Sequence, residues 1–159
     1  MRHTWLAVLA CAALTSCGFH LRGVAKMPAA LAEAYLEAPD RYTDFHRVFV
    51  DDLTAAGVHL LPHADPSSVV IELEKDDSGQ RVLSVSARNV PTQYEVYYTV
   101  TFRVRTGSHD LQPPQTISLT QDYVFDENAL LAMDQEQAVL RQALARNLSA
   151  LVMRRLAAL

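Results

Sequence analysis

Residues 93–105 read Gln93-Tyr94-Glu95-Val96-Tyr97-Tyr98-Thr99-Val100-Thr101-Phe102-Arg103-Val104-Arg105, and this run decides the fold. In an extended chain Tyr94, Val96, Tyr98, Val100, Phe102 and Val104 fall on one side. Gln93, Glu95, Tyr97, Thr99, Thr101, Arg103 and Arg105 fall on the other. Side chains alternate across a strand with a period of two, so this run predicts a long strand, buried on one face and wet on the other. Such a sheet needs a layer of helix against its apolar face.

The flanking sequence supplies both layers. Downstream, Gly107–Pro114 reads as a loop, and Thr116–Phe125 as a last strand with Ile117, Leu119, Tyr123 and Phe125 inward. Upstream, Val69, Ile71 and Leu73 alternate with Val70, Glu72 and Glu74. Asp76-Asp77-Ser78-Gly79 has turn chemistry. A hairpin is therefore expected there, returning over Gln80–Arg88 with Leu83, Val85 and Ala87 on one face and broken by Asn89–Pro91. Ala34–Ala38 suits a short strand. Phe45, Val48, Phe49 and Leu53 recur at helical spacing and predict a helix over Thr43–Ala56, with Gly57 at its C-terminal stop. Val58–Leu61 reads as a short extended piece. At the end of the chain Asp134–Gln137 resembles a capping box, and Leu140, Leu144, Leu148 and Leu151 form a stripe reaching about Leu156. This order predicts an α+β fold: a two-layer sandwich with two helices packed on one face of a four- to five-stranded mixed sheet.

The N-terminus is a separate matter. Leu14-Thr15-Ser16-Cys17 closes a short apolar run that follows Arg2 and His3. It reads as a lipobox, the signal for cleavage before a cysteine that is then acylated. The run is too short for a bilayer span, which takes ~20 apolar residues. The expected organisation is a lipoprotein signal peptide at 1–16, a lipidated tether at 17–33 and one α+β domain at 34–159. The two cysteines are Cys11, in the discarded run, and Cys17, consumed by acylation, so no disulfide is expected in the mature domain. The formal net charge is −4. That argues against a nucleic-acid binder and against a polybasic membrane-surface mode.

Catalytic patterns are scarce. There is no G-x-S-x-G, and the glycines are too scattered for a phosphate-cradling loop. His59 and His63 have a helical metal-ligand spacing, but Pro62 lies between them. No nucleophile–base pair is visible, so neither an enzyme nor a cofactor or metal site is expected. Arg81, Arg88, Arg103 and Arg105 lie on or beside strands. They form either ordinary solvated strand edges or an anion-contacting patch.

Cys17-Gly18-Phe19-His20-Leu21-Arg22-Gly23 resembles the start of mature lipopolysaccharide-assembly lipoproteins of the LptE family. Residues Asp52–Val58 with Leu60-Leu61, the strand Tyr94–Val104, and Phe125–Gln137 are similar to later parts of that family. The resemblance implies an outer-membrane lipoprotein, anchored through Cys17 on the periplasmic side. It would plug the β-barrel protein LptD, assist its folding, and bind lipopolysaccharide on its way to the cell surface. It also implies a basic lipopolysaccharide contact before the long strand, matched by Arg88, with Arg81 as a neighbour. A second basic contact, before the last helix, is Met133 here. The polar strand face carrying Tyr97, Thr99 and Thr101 is the expected barrel interface. A different class, a periplasmic adaptor or activator lipoprotein docking on a cell-envelope enzyme, would need only the lipobox.

Overall fold

The computed structural model describes residues 27–125 and 130–159. Five strands form one sheet: β1 (Glu33–Glu37), β2 (His59–Leu60), β3 (Val69–Val85), β4 (Pro91–Thr106) and β5 (His109–Val124). Two helices, α1 (Asp44–Ala55) and α2 (Leu130–Leu156), cover one face. The strand order is β2-β1-β3-β4-β5. β1 runs parallel to both β2 and β3, while β3, β4 and β5 are antiparallel neighbours, so the sheet is mixed. The signal-peptide and lipid-attachment assignments, Cys17 included, lie outside the described residues.

The alternation in β4 sets the core. Val96, Tyr98, Val100, Phe102 and Val104 are all buried on the helix side. They meet Phe45, Phe49 and Leu53 of α1 and Leu144, Leu148, Val152 and Leu156 of α2. Phe45 and Phe49 stack with ring centroids 5.2 Å apart, and Tyr98 leans against Phe45 at 6.5 Å. The helices run side by side in one direction. Arg141 Nε donates to Asp44 at 2.9 Å, and a turn or two on Ser149 Oγ donates to Asp52 at 2.6 Å. Thr43 caps α1, its hydroxyl accepting from the His46 amide at 3.0 Å, and Gly57 takes the positive φ of 85° that ends the helix.

The structure corrects four expectations. Asp76–Gly79 is not a turn: β3 runs unbroken through it. Tertiary partners hold these residues extended. Asp76 accepts from the hydroxyls of Thr43 and Tyr98, and Gly79 lies beneath the ring of Tyr97, within 3 Å of where a Cβ would sit. The real hairpin turn is Ser86–Val90, with Asn89 in the left-handed region at φ 59°. Nor is Gly107–Pro114 a loop. The chain reverses at Gly107-Ser108, and Pro113 and Pro114 sit in β5, at a register irregularity on the sheet's outer edge where a missing N–H is tolerated. The capping-box residues Asp134–Gln137 lie inside α2, which begins earlier, at Leu130. The packed domain also begins before Ala34, because Leu31 is fully buried in the core.

One hydroxyl joins the layers. Tyr98 Oη accepts from the buried Phe45 amide at 3.0 Å, at the start of α1, and donates to Asp76 Oδ1 at 2.9 Å. Tyr98→Phe keeps the ring but leaves that amide unpaired and Asp76 with one donor fewer. A buried unsatisfied group costs about 1–3 kcal/mol. Thermal unfolding should therefore show a midpoint lower by on the order of 5 °C; an unchanged midpoint would mean that the joint does not hold α1 in place.

Candidate functional site

The helices leave the other face of the sheet bare. Along β4 it presents Gln93, Glu95, Tyr97, Thr99, Thr101, Arg103 and Arg105, flanked by Thr116, Ser118, Thr120 and Asp122 of β5. The hydroxyls of Thr99 and Ser118 are 2.8 Å apart, and those of Thr101 and Thr116 are 2.9 Å apart, so each pair is hydrogen-bonded across the strands. Tyr97, Thr99 and Thr101, singled out from the sequence, do share this face. Their neighbours on β3 are Gly79, Asp77 and Lys75.

The four arginines divide. Arg103 forks onto Glu72 with bonds of 2.8–3.0 Å, and Arg105 bridges Glu72 at 3.0 Å and Glu37 at 2.9 Å. Burial pushes the Glu72 carboxyl up, but the hydrogen bonds from Arg105 and Arg103 outweigh this and hold it below the usual range. Arg81 lies directly across from Glu95 and bonds it at 2.5 Å. Arg88 is different. It sits exposed in the Ser86–Val90 turn and joins no ion pair among the described residues. The structure therefore does not gather the four into one patch; it neutralises three and presents the fourth at a tip. Met133 is a buried core residue on α2, so its place is taken by packing rather than by a surface contact.

That tip stands well clear of α1. α1 starts level with Asp76 and Tyr98, and β3 and β4 run on from there to the turn, on the order of 30 Å further at ~3.3 Å per residue. Val82, Leu83 and Val85 are 48%, 47% and 53% exposed, and Val124 on the adjoining strand is 70% exposed. The alternation puts Leu83 and Val85 on one face of the strand, and the structure leaves that face open at both. A signal was present all the same: from Val82 to Tyr94 there is no acidic residue and only one charge, Arg88.

A second convergence of polar groups is the joint at the head of α1. Tyr42, Thr43, Asp44, Asp76, Ser78, Tyr98 and Arg141 line a shallow polar pocket there. Among the described residues no cluster of His, Cys, Asp and Glu could hold a metal ion, and no helix is long and apolar enough to cross a membrane. Burial raises the pKa of Tyr98 and that of Asp76, against the hydrogen bonds Asp76 receives from Thr43 and Tyr98.

A helix-backed sheet with one bare, hydroxyl-rich face and a cationic hairpin tip has the build of a docking and binding domain. Residues 31–156 match the family described as LptE, lipopolysaccharide-assembly, and the chain belongs to that family. It is 26% identical over 162 residues to the LPS-assembly lipoprotein LptE of Pectobacterium atrosepticum, covering 98% of this chain and 86% of that protein. Two solved structures share the fold. Lipoprotein B of Nitrosomonas europaea superposes with a TM-score of 0.73 at 24% identity, covering 89% of this chain and 91% of its own. The rare lipoprotein B of Shewanella oneidensis gives 0.68 at 21% identity, covering 79% and 94%. The chain is thus a lipopolysaccharide-assembly family member.

The raised pKa of Asp76 fixes the sign of a pH effect. The folded state holds this proton more tightly than the unfolded chain, whose value is about 3.8. Its contribution to stability is therefore complete below that value and is lost as pH rises through the folded pKa. Asp76→Asn keeps the shape without the charge. In urea unfolding it should match the wild type near pH 3.5 and exceed it at neutral pH. A constant difference across that range would contradict the assignment.

Proposed function

We propose that this protein is the lipid-anchored, lipopolysaccharide-binding plug of an LptD-type barrel. Residues 1–16 are removed, Cys17 is acylated, and the domain is held at the periplasmic side of the outer membrane. The acyl chains supply the anchoring, each buried CH₂ contributing ~0.8 kcal/mol. The role is one of binding and assembly rather than catalysis. The observation that carries the reading is the bare face of β4 and β5 in a chain of this family. A plug must bury a large surface, beyond the ~1,600 Å² of a standard interface. The hydroxyl pairs suit that task, because they are already hydrogen-bonded to each other and lose little when water leaves. Arg88 is the lipopolysaccharide contact this reading favours, since Arg forms short charge-assisted bonds with phosphate and Arg88 joins no ion pair among the described residues. Arg81 contributes less, because Glu95 already holds it.

The test is affinity purification of the intact lipoprotein from detergent-solubilised envelopes. The wild type should bring down one large barrel protein in equal amount, with lipopolysaccharide. Thr99→Lys is the informative variant. Asp77 lies directly opposite on β3, so the sheet accommodates the new charge, while a docked surface would not. It should reduce barrel recovery at least tenfold with an unchanged melting midpoint. Full recovery would remove this face from the interface. A cell-wall enzyme recovered in place of the barrel would replace this reading with that of an adaptor lipoprotein.

A further inference from the structure

α1 begins half-way along the sheet, and the step it leaves is a pocket. Its floor is the helix side of β3 and β4, where Asp76 and Ser78 stand beside Tyr98. Asp44 at the head of α1 and Arg141 of α2 form its walls, and Tyr42 forms its rim. The cavity measures about 300 Å³. Ligand pockets span roughly 300–1,000 Å³, so this one takes a single ring rather than a chain. Packing leaves three side chains here unexplained. Tyr42 is 93% exposed and stacks on no other aromatic ring among the described residues. Ser78 Oγ makes no hydrogen bond among them, although the neighbouring hydroxyls of Thr43 and Tyr98 both donate to Asp76. Arg141 uses only Nε on Asp44, and its two Nη groups have no partner among the described residues.

We infer that this pocket binds one uncharged hexose unit of a glycan, with the sugar's C–H face on the ring of Tyr42 and its hydroxyls on Asp44, Asp76, Ser78 and Arg141. The site is separate from the contacts proposed above, because it lies on the helix side of the sheet, away from the bare face and from the Ser86–Val90 turn. The pattern of donors and acceptors selects the class of ligand. A sugar hydroxyl both donates and accepts, so it needs an acceptor and a donor side by side. The carboxylates of Asp44 and Asp76 only accept, the Arg141 guanidinium only donates, and Ser78 does either. Charge disfavours ionic ligands. Two carboxylates face two guanidiniums here, since Arg47 also holds Asp44, at 2.6 Å. A phosphate would lie against Asp44 and Asp76, and an ammonium against Arg141. The ring of Tyr42 supplies the flat apolar surface that the C–H groups of a pyranose need. Apart from the two tyrosine rings every lining side chain is polar, so an N-acetyl methyl finds no apolar cradle and a plain hexose fits better.

The experiment is saturation-transfer NMR on the intact lipoprotein in a sugar-free detergent, lauryldimethylamine oxide. The probes are maltotriose, chitotriose and glucose 6-phosphate. Maltotriose should receive saturation from the wild type and titrate with a Kd on the order of 1 mM, as a shallow one-ring site allows. Tyr42→Ala should bind it about fivefold more weakly, whereas Tyr42→Phe, which keeps the ring, should bind it as the wild type does. Ser78→Ala should bind it about threefold more weakly. The Tyr42 side chain is exposed, so the melting midpoint of Tyr42→Ala should equal that of the wild type, which separates a lost contact from a lost fold. No transfer to maltotriose from the wild type, or equal affinity in Tyr42→Ala, would overturn the inference. Tighter binding of glucose 6-phosphate than of maltotriose would overturn it in favour of an anion site. Tighter binding of chitotriose would overturn it in favour of an N-acetylated glycan.

Discussion

The hydroxyl of Tyr98 fixes where the helical layer begins. By joining the Phe45 amide in the first turn of α1 to Asp76 in the middle of β3, it sets that helix against the lower half of the sheet only. Below this level the sandwich is complete, with two parallel helices over the apolar face of β1, β3 and β4. Above it, β3 and β4 extend with α2 alone beside them. There Tyr94, Tyr123 and Phe125 pack together, and β3 stays uncovered at Val82 and Val85. Both surfaces relevant to function follow from this joint. The bare face exists because both helices lie on the other side, and the exposed tip exists because α1 starts half-way along.

The two surfaces are built on different chemistry. The bare face is polar but already satisfied: hydroxyls pair with hydroxyls, and Glu72 holds Arg103 and Arg105 together. Such a surface stays soluble alone and can be covered without leaving charges or donors unpaired. The tip carries exposed apolar side chains and one arginine that joins no ion pair among the described residues.

Much of this was legible in the sequence, for physical reasons that also mark its limits. β4 could be read because a period of two over a long run has one explanation: Val96, Tyr98, Val100, Phe102 and Val104 are buried as expected, and Tyr94 is partly buried. Thr43 and Gly57 could be read because caps are local chemistry. Asp76–Gly79 could not, since the contacts that keep it extended come from Thr43, Tyr97 and Tyr98, which are distant in sequence. Pro113-Pro114 was hidden for the opposite reason: a proline pair signals a loop unless the strand is known to lie at an edge. For the arginines, sequence gave their places but not their partners. Only the strand register shows that Glu95 and Glu72 hold Arg81, Arg103 and Arg105, leaving Arg88 at the turn.

The central claim is that the bare face of the sheet meets the wall of a barrel. Photo-crosslinking in intact cells tests it most directly, with a photoreactive residue at Thr120, exposed on that face, in the full-length lipoprotein. The account expects one dominant adduct from Thr120, with a large heat-modifiable barrel protein. No barrel adduct from Thr120, alongside strong barrel adducts from a probe at Arg146 on the helical layer, would contradict it and turn the docked surface to the opposite side of the molecule.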